Sequence, residues 1–312
     1  MSRDLSSPIA YVIGEALVDA VSRPGEDPVE HPGGSPANVA LTLGRLGRPS
    51  TLLTWLGRDD RGRTVTQWLE DSHVDVDPAS FGAERTSVAH ALIGETGGAT
   101  YEFDLEWNAP AHHTVPSDAV VVHTGSIGAV LAPGGTVVRD ILAAAKQYAT
   151  LTYDPNMRPS LMGAPDDVLP QVEGYVALCD VVKVSDEDLE WLYPGERPHD
   201  VAQRWVTLGA SLVVVTLGGD GAVAVTGSGE SVEVSAPRVD VADTVGAGDS
   251  FMGALIHGLW ERDLLGAAQR EALRGVSPEQ LREVIDQCVA VAAITVSRAG
   301  ANPPWRSELI AS

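Results

Sequence analysis

Short apolar runs rich in β-branched residues alternate with longer helical stretches in the middle and C-terminal parts of this chain. The runs cover residues 119–123, 151–153, 181–184 and 212–216, with helical patterns such as 136–148 and 201–208 between them. Each run is apolar almost throughout, as is typical of strands that helices cover on both faces. This alternation predicts an α/β fold with a central, mostly parallel sheet.

Two segments depart from this alternation and predict a second, smaller sheet. Residues 9–19 read as a strand that leads into Pro24-Gly25 and a further extended piece. Residues 87–105 alternate in polarity on either side of a turn at 95–98, which is the pattern of a hairpin. We therefore expect one domain over residues 1–312, with a small β-sheet lid built from about 9–36 and 85–110.

The charge balance excludes several classes of partner. Asp and Glu number 43 against 21 Lys and Arg, which gives a formal net charge of −22. Nucleic acids and anionic membrane surfaces bind basic patches, so we expect neither as a partner. No secretory leader and no apolar run near the ~18 residues of a membrane span is present, which predicts a cytoplasmic protein. Cys179 and Cys288 lie in apolar surroundings and are expected to be buried free thiols.

The positions of the lysines and of the first glycines exclude two classes of nucleotide-binding protein. Lys146 and Lys183 are the only lysines, and neither follows a glycine-rich run, which excludes a P-loop. The first apolar run is followed by Gly14-Glu15-Ala16 and not by the G-x-G-x-x-G pattern. A dinucleotide-dependent oxidoreductase is therefore excluded as well.

The segment Asp243-Thr-Val-Gly-Ala-Gly-Asp249 precedes an apolar stretch with helical spacing, residues 251–260. Glycines at 246 and 248 expose consecutive backbone N–H groups, and a helix start adds its own N–H groups and positive dipole end. Together they predict an anion hole, with Asp249 at its mouth as an ionised base for a hydroxyl proton. The alternative is an N-cap aspartate after a tight turn.

Two further glycine loops stand at element ends. Gly33-Gly34-Ser-Pro-Ala-Asn38 precedes a helical pattern, and its glycines and the Asn38 amide suit a polyhydroxyl ligand. Thr216-Leu-Gly218-Gly-Asp-Gly221 follows a strand, at the sheet edge where open α/β sheets bind ligands. A helix cap for the first loop and a plain hairpin turn for the second are the alternatives.

The loops together resemble a known family. Gly33-Gly-x-Pro-x-Asn38-x-Ala40, followed by Gly47 and Gly57, resembles the N-terminal signature of the ribokinase-like (PfkB) sugar kinases. The segment from Asp243 to Asp249 resembles their C-terminal signature, and the resemblance covers about residues 12–303. It implies a ribokinase-like three-layer α/β/α body with a β-sheet lid, and ATP-dependent phosphorylation of a primary hydroxyl. We also expect a homodimer formed through the lid.

The resemblance assigns roles to matching positions. Asp249 is the catalytic base, and Gly246, Ala247 and Gly248 form the anion hole. The positions that match sugar contacts are Asp19, Gly33, Gly34 and Asn38, with Arg158 of Asp154-Pro-Asn156-Met-Arg158 within reach of a sugar hydroxyl or a phosphate. The positions that match the nucleotide loop are Thr216, Gly218 and Gly221. A surface ion pair is the alternative for Arg158.

Metal ions are implied at two places. Lys183-Val-Ser185-Asp-Glu-Asp188 resembles the family's Asn-x-x-Glu segment, with Ser in place of Asn and Asp in place of Glu. Lys183 and Ser185 would then face the nucleotide, and Asp188 would reach Mg²⁺ through water. Glu187 as the magnesium residue and a plain acidic helix N-terminus remain alternatives. The family's K⁺ site matches Asp243, Val245, Thr295, Arg298 and Gly300, with Pro304 near a serine of other members.

The substrate is the least constrained expectation. His123-Thr-Gly-Ser-Ile-Gly128, Asp154-Pro-Asn156, Lys183-Val-Ser185 and Trp107-Asn-Ala-Pro110 are most similar to fructokinases. D-fructose phosphorylated to fructose 6-phosphate is therefore ranked first, 2-keto-3-deoxygluconate second, a ribokinase-type substrate as a further alternative and fructose 6-phosphate last. A non-catalytic sugar- or nucleoside-binding regulator on the same fold would have no need of Asp249.

Overall fold

The computed structural model describes residues 7–22, 27–93 and 99–309. Its strands in chain order are β1 Ile9–Ile13, β2 Leu17–Ser22, β3 Val29–Gly33, β4 Ser50–Leu53, β5 Val74–Val76, β6 Val88–Ile93, β7 Ala99–Asp104, β8 Ala119–Gly125, β9 Thr150–Asp154, β10 Val181–Ser185, β11 Leu212–Thr216, β12 Ala222–Thr226 and β13 Ser231–Val234.

The helices interleave with these strands along the chain. They are α1 Ser35–Arg45, α2 Asp60–Glu70, α3 Ser126–Val130, α4 Gly134–Ala145, α5 Pro159–Met162, α6 Pro165–Leu178, α7 Asp186–Leu192, α8 Pro198–Leu208, α9 Ala247–Glu261, α10 Arg270–Arg274, α11 Pro278–Val296 and α12 Arg306–Leu309. Several begin with a proline in the first turn, where its missing N–H costs nothing because that group has no partner in the helix.

The large sheet has the predicted parallel character. Its strand order is β13-β12-β11-β10-β9-β8-β1-β4-β5. From β11 to β5 all neighbours are parallel, and β12 is antiparallel to both β11 and β13. Parallel neighbours end at the same edge of the sheet, so the loops that follow β1, β8, β9, β10 and β11 converge there. The predicted three-layer α/β/α architecture is confirmed.

Helices cover both faces of the large sheet. Helices α1, α2, α9 and α11 pack on one face, and α4, α6, α7 and α8 pack on the other. Each face of the sheet has one apolar cluster beneath its helices. Strand β1 is fully buried along its length, as its continuous apolar sequence requires. Both cysteines are buried and free, as predicted. None of the helices within the described ranges is long and apolar enough to cross a membrane.

The smaller sheet has the order β3-β2-β6-β7. Strands β6 and β7 pair antiparallel, as the hairpin pattern predicts, while the turn at 95–98 and Pro24-Gly25 lie outside the described residues. The expected boundaries of this sheet are wrong at two points. The run Ile9–Ile13 belongs to the large sheet, because it is apolar on both faces, and Ser35-Pro36 already belong to α1.

Candidate active site

Helix α9 begins at the predicted anion hole. Gly246 caps the helix with a φ of 76°, a left-handed conformation, and a Cβ added there would lie 2.6 Å from the Cβ of Ala301. Only glycine meets both conditions. The helix starts at Ala247, so Gly248 and Asp249 lie in its first turn, where backbone N–H groups have no carbonyl acceptor within the helix.

The carboxylate of Asp249 is buried and receives hydrogen bonds from three residues of two separate segments. Ser35 Oγ donates to Oδ1 over 2.7 Å, and Asn38 Nδ2 donates to Oδ2 over 2.8 Å. Asn156 Nδ2 lies 3.3 Å from Oδ1. The structure therefore joins Asp249 to the first glycine loop and to the segment after β9.

A buried ion pair lies beside this carboxylate. Lys183 Nζ contacts Asp154 Oδ2 at 2.9 Å, with side chains 3% and 0% exposed. A Cβ added at Gly248 would lie 2.8 Å from Lys183 Nζ, so the ammonium group faces the anion-hole backbone. Burial raises the pKa of Asp154 to about 6, although Lys183 opposes this. Burial opposes the charge of Lys183, but Asp154 outweighs it and the pKa of Lys183 is raised overall.

The first glycine loop packs against the small sheet. Gly34 caps α1 with a φ of 111°, and a Cβ there would lie 2.5 Å from the Glu15 carbonyl oxygen. A Cβ at Gly33 would overlap Asp19 Oδ2. Burial raises the pKa of the Asp19 carboxyl, while the nearby charges of Arg158 and His31 lower it. Asp19 thus lies against Gly33, at the start of the loop that leads to Asn38, and these residues are the predicted wall of the candidate sugar site.

Arg158 contacts Asn156, and its charge acts on Glu15 and Asp19. Its Nη1 donates to the carbonyl and to the side-chain oxygen of Asn156, at 3.1 and 2.7 Å. Asn156 has a φ of 39°, unusual for a residue other than glycine and frequent at functional sites. Burial raises the pKa of Glu15 to about 7, against the effects of its Ser126 and Gly128 hydrogen bonds and of Arg158. Arg158 is itself exposed, and its contact with a sugar hydroxyl or a phosphate stays a prediction.

The third glycine loop follows the end of β11 and connects it to β12 as the turn of a hairpin. A side chain at Gly218 would meet open space, whereas one at Gly221 would overlap the carbonyl oxygen of Val234. Gly221 is therefore explained by packing against β13. Thr216 Oγ1 lies 3.5 Å from the Val184 carbonyl oxygen, next to the Lys183–Ser185 strand end. Contact of Thr216, Gly218 and Gly221 with a nucleotide stays a prediction.

The Ser185–Asp188 segment forms the start of α7. The Asp188 N–H donates to Ser185 Oγ at 3.0 Å, which makes Ser185 the N-cap. Asp188 Oδ1 accepts the N–H of Met157 at 2.9 Å, and Glu187 is exposed. Across the described ranges no group of three or more His, Cys, Asp or Glu could hold a metal by itself. A magnesium role for Asp188 or Glu187 stays a prediction.

The residues matched to the K⁺ site lie close together. Asp243 Oδ1 accepts the Val245 N–H at 3.0 Å and Oδ2 accepts the Gly300 N–H at 2.8 Å. The Arg298 N–H donates to the Thr295 carbonyl at 3.1 Å. The loop before α9 is thereby joined to the segment after α11. A cation bound between them would act on the same loop that leads to Gly246 at the start of α9.

Comparison with known proteins decides the family. A model described as pfkB family carbohydrate kinase matches residues 10–308. The chain belongs to the PfkB family of carbohydrate kinases. As a PfkB kinase it is a phosphotransferase with an alcohol group as acceptor, as the two signatures implied.

Individual relatives of this PfkB kinase are fructokinases. It is 33% identical over 271 residues to a fructokinase of Rhizobium leguminosarum bv. trifolii, a match that covers 83% of this chain and 82% of the relative. The fructokinase of Xylella fastidiosa with bound ATP has a TM-score of 0.82, 25% identity and 97% coverage of both chains. A fructokinase double mutant of Vibrio cholerae O395 with fructose, ADP and potassium has a TM-score of 0.77, 26% identity and 99% coverage of both.

The sequence reasoning missed three side chains around Asp249. Ser35 lies three residues before Asn38, so both share one face of α1, and this spacing could have identified it. Asp154 and Asn156 were noted as part of a motif, but neither was assigned to Asp249 or Lys183. Their roles depend on which strands are neighbours in the sheet.

Proposed function

We propose that this PfkB kinase transfers the γ-phosphoryl group of ATP to a primary hydroxyl of a neutral sugar, with the 6-hydroxyl of D-fructose as the best substrate. The observation that carries the proposal is the buried Asp249 carboxylate. It lies in the first turn of α9, accepts hydrogen bonds from the sugar-side loop and adjoins the Lys183 ammonium group. The proposed base, the proposed anion hole and the Lys183 cation would then act within one small site.

Each part has a defined role in phosphoryl transfer. Asp249 orients the acceptor hydroxyl and takes its proton as the bond to phosphorus forms. The N–H groups around Gly246, Ala247 and Gly248 and the charge of Lys183 stabilise the negative charge of the transferring group. Closure of the small sheet over the sugar would exclude water, which otherwise competes as acceptor.

Magnesium would be held on the Asp188 side of the site. Asp188 is our first choice, through water, and the exposed Glu187 is the alternative. When bound, Mg²⁺ neutralises charge on the phosphates. Ser185 and Lys183 lie at the end of β10 beside this position, together with the β11 loop that carries Thr216 and Gly218.

The charges around the sugar site favour a neutral substrate. Asp19 and Asp249 are the acids predicted at it, and Arg158 is the cation whose charge acts on Asp19. A keto-acid substrate would bring another carboxylate into this group, and a sugar phosphate would bring more charge still. Fructose therefore ranks before 2-keto-3-deoxygluconate and a ribokinase-type substrate, and fructose 6-phosphate ranks last. A regulator that only binds sugar would not explain why Asp249 is held at the anion hole.

The substrate is tested by ADP release from Mg-ATP across fructose, ribose, 2-keto-3-deoxygluconate, adenosine and fructose 6-phosphate. The proposal expects the highest kcat/KM for fructose. A preference of about tenfold or more for the keto acid would overturn the choice of fructose but leave the kinase intact. Release of ADP that no compound in the panel accelerates would contradict the proposed function.

Replacement of Asp19 with alanine tests the sugar wall. We expect the KM for the sugar to rise about tenfold or more, because hydrogen bonds to a charged group are lost, and the KM for ATP to stay within about twofold. The matched control is Glu30→Ala. Glu30 is the pairing partner of Ala20, the neighbour of Asp19, so it points to the other face of the same sheet, and it pairs with Arg61 at the surface. Equal KM changes for sugar and ATP in Asp19→Ala would contradict the assignment.

A monovalent cation is proposed at Asp243, Val245, Thr295, Arg298 and Gly300, where backbone carbonyls can supply ligands. Its binding would order the loop that ends at Gly246. We expect the sugar-dependent rate to be about threefold or more higher in K⁺ than in tetramethylammonium at equal ionic strength. Equal rates in the two salts would count against this site.

A homodimer and a cytoplasmic location stay predictions. A homodimer through the small sheet would cover Val29 and Leu92, which are 45% and 40% exposed. A cytoplasmic location would supply the ATP and the reducing conditions that suit two buried free thiols.

A further inference from the structure

Ser35 makes a contact that its place in the helix does not require. It is the first residue of α1 and only 6% exposed, and no side-chain capping hydrogen bond is formed at this helix start. A serine near a helix N-terminus commonly bonds to the backbone of its own first turn. Here the hydroxyl donates instead to Asp249 Oδ1, 214 positions along the chain, over 2.7 Å.

The two carboxylate oxygens of Asp249 accept different numbers of hydrogen bonds. A carboxylate oxygen can accept hydrogen bonds along two lone-pair directions. Oδ1 accepts from Ser35 and from Asn156, whereas within the described ranges Oδ2 accepts from Asn38 alone. The acceptor hydroxyl can therefore donate its hydrogen bond to the second lone-pair direction of Oδ2.

We propose that Ser35 is a positioning residue that occupies Asp249 Oδ1 and so turns Oδ2 toward the hydroxyl to be phosphorylated. The proposal rests on the proposed kinase function and adds a residue to it. The Ser35 contact sets the rotation of the carboxylate, since Asn156 alone, at 3.3 Å, holds Oδ1 only weakly. Asn38 then holds Oδ2 from the side of the sugar loop.

The test compares Ser35→Ala and Ser35→Thr with the control Thr42→Val in the same helix. Thr42 is also buried, but its hydroxyl donates to the Asn38 carbonyl and not to Asp249. We expect Ser35→Ala to lower kcat about tenfold, with the KM values for sugar and ATP within about twofold. Ser35→Thr keeps the hydroxyl and should restore kcat to within about threefold, and Thr42→Val should leave it within about twofold.

Several outcomes would overturn the positioning role. Wild-type kcat in Ser35→Ala would do so, as would a rise in sugar KM without a fall in kcat. Equal losses in both Ser35 variants and in Thr42→Val, with lower melting temperatures, would assign Ser35 to packing alone. If the wild-type protein phosphorylates no sugar in the panel, the proposed function fails first, and the two failures are thereby distinguished.

Discussion

Asp249→Asn is expected to lower kcat about a thousandfold and to leave ATP binding unchanged. The amide cannot take the proton of the acceptor hydroxyl. It also places an NH₂ group next to Ser35 Oγ or Asn38 Nδ2, and the second arrangement sets two donors against each other. The loss therefore combines a missing base with a disturbed geometry, while the anion hole and Lys183 remain in place.

The measurement is sugar-dependent ADP release together with ATP affinity by titration calorimetry. The matched control is Asp60→Asn, because Asp60 also lies in the first turn of a helix but has a side chain that is 94% exposed. We expect the control to keep the wild-type kcat. A kcat for Asp249→Asn within about tenfold of wild type would show that another group takes the proton.

Lys183→Met is expected to have the second largest effect, on stability as well as on rate. Lys183 and Asp154 form a buried pair at 2.9 Å, and the charges of Asp188 and Asp249 also act on both. Loss of the lysine leaves a buried carboxylate without its partner, which costs about 3–5 kcal/mol of unfolding free energy. The rate falls as well, since the cation beside Gly248 is lost.

A double variant separates the two effects. In Lys183→Met with Asp154→Leu the carboxylate that directly contacted the lysine is removed as well, so the unfolding free energy in urea should recover by at least half, while kcat stays low. The other lysine gives the control. Lys146 Nζ donates to the Leu178 carbonyl at 2.6 Å and is only partly buried, so Lys146→Met should cost about 1 kcal/mol and leave kcat unchanged. Recovery of kcat in the double variant would contradict a role for the Lys183 charge in transfer.

The large and the small sheet differ in how well the sequence predicts which strands belong to them. The run Ile9–Ile13 is apolar at every position and belongs at the centre of a covered parallel sheet, yet its place just before the small-sheet strands led to the wrong assignment. The apolar composition of this run predicts its sheet correctly, whereas its position in the chain does not. The parallel strands from β8 to β11 carry the same signature, and there the prediction is confirmed.

The site was predictable where glycines and helix starts mark it, and not where strands meet. Gly34 and Gly246 are needed for backbone conformations that the sequence pattern reveals, so Asn38 and Asp249 could be located from the chain alone. The Lys183–Asp154 pair depends on β9 and β10 being neighbours in this register, with Val182 opposite Tyr153. Periodicity carries no information about such pairing, because every parallel strand of this sheet looks alike in sequence.

The central claim is that the chain transfers phosphoryl groups to a primary sugar hydroxyl with Asp249 as the base. It is tested most directly by ³¹P NMR of a reaction of the wild-type protein with Mg-ATP and D-fructose, with Asp249→Asn run in parallel. We predict a phosphate monoester on C6 of fructose that forms in equal amount with ADP, and no monoester from the variant in the same time. ADP that accumulates with inorganic phosphate and without a sugar monoester, or a monoester formed equally by both proteins, would contradict the claim.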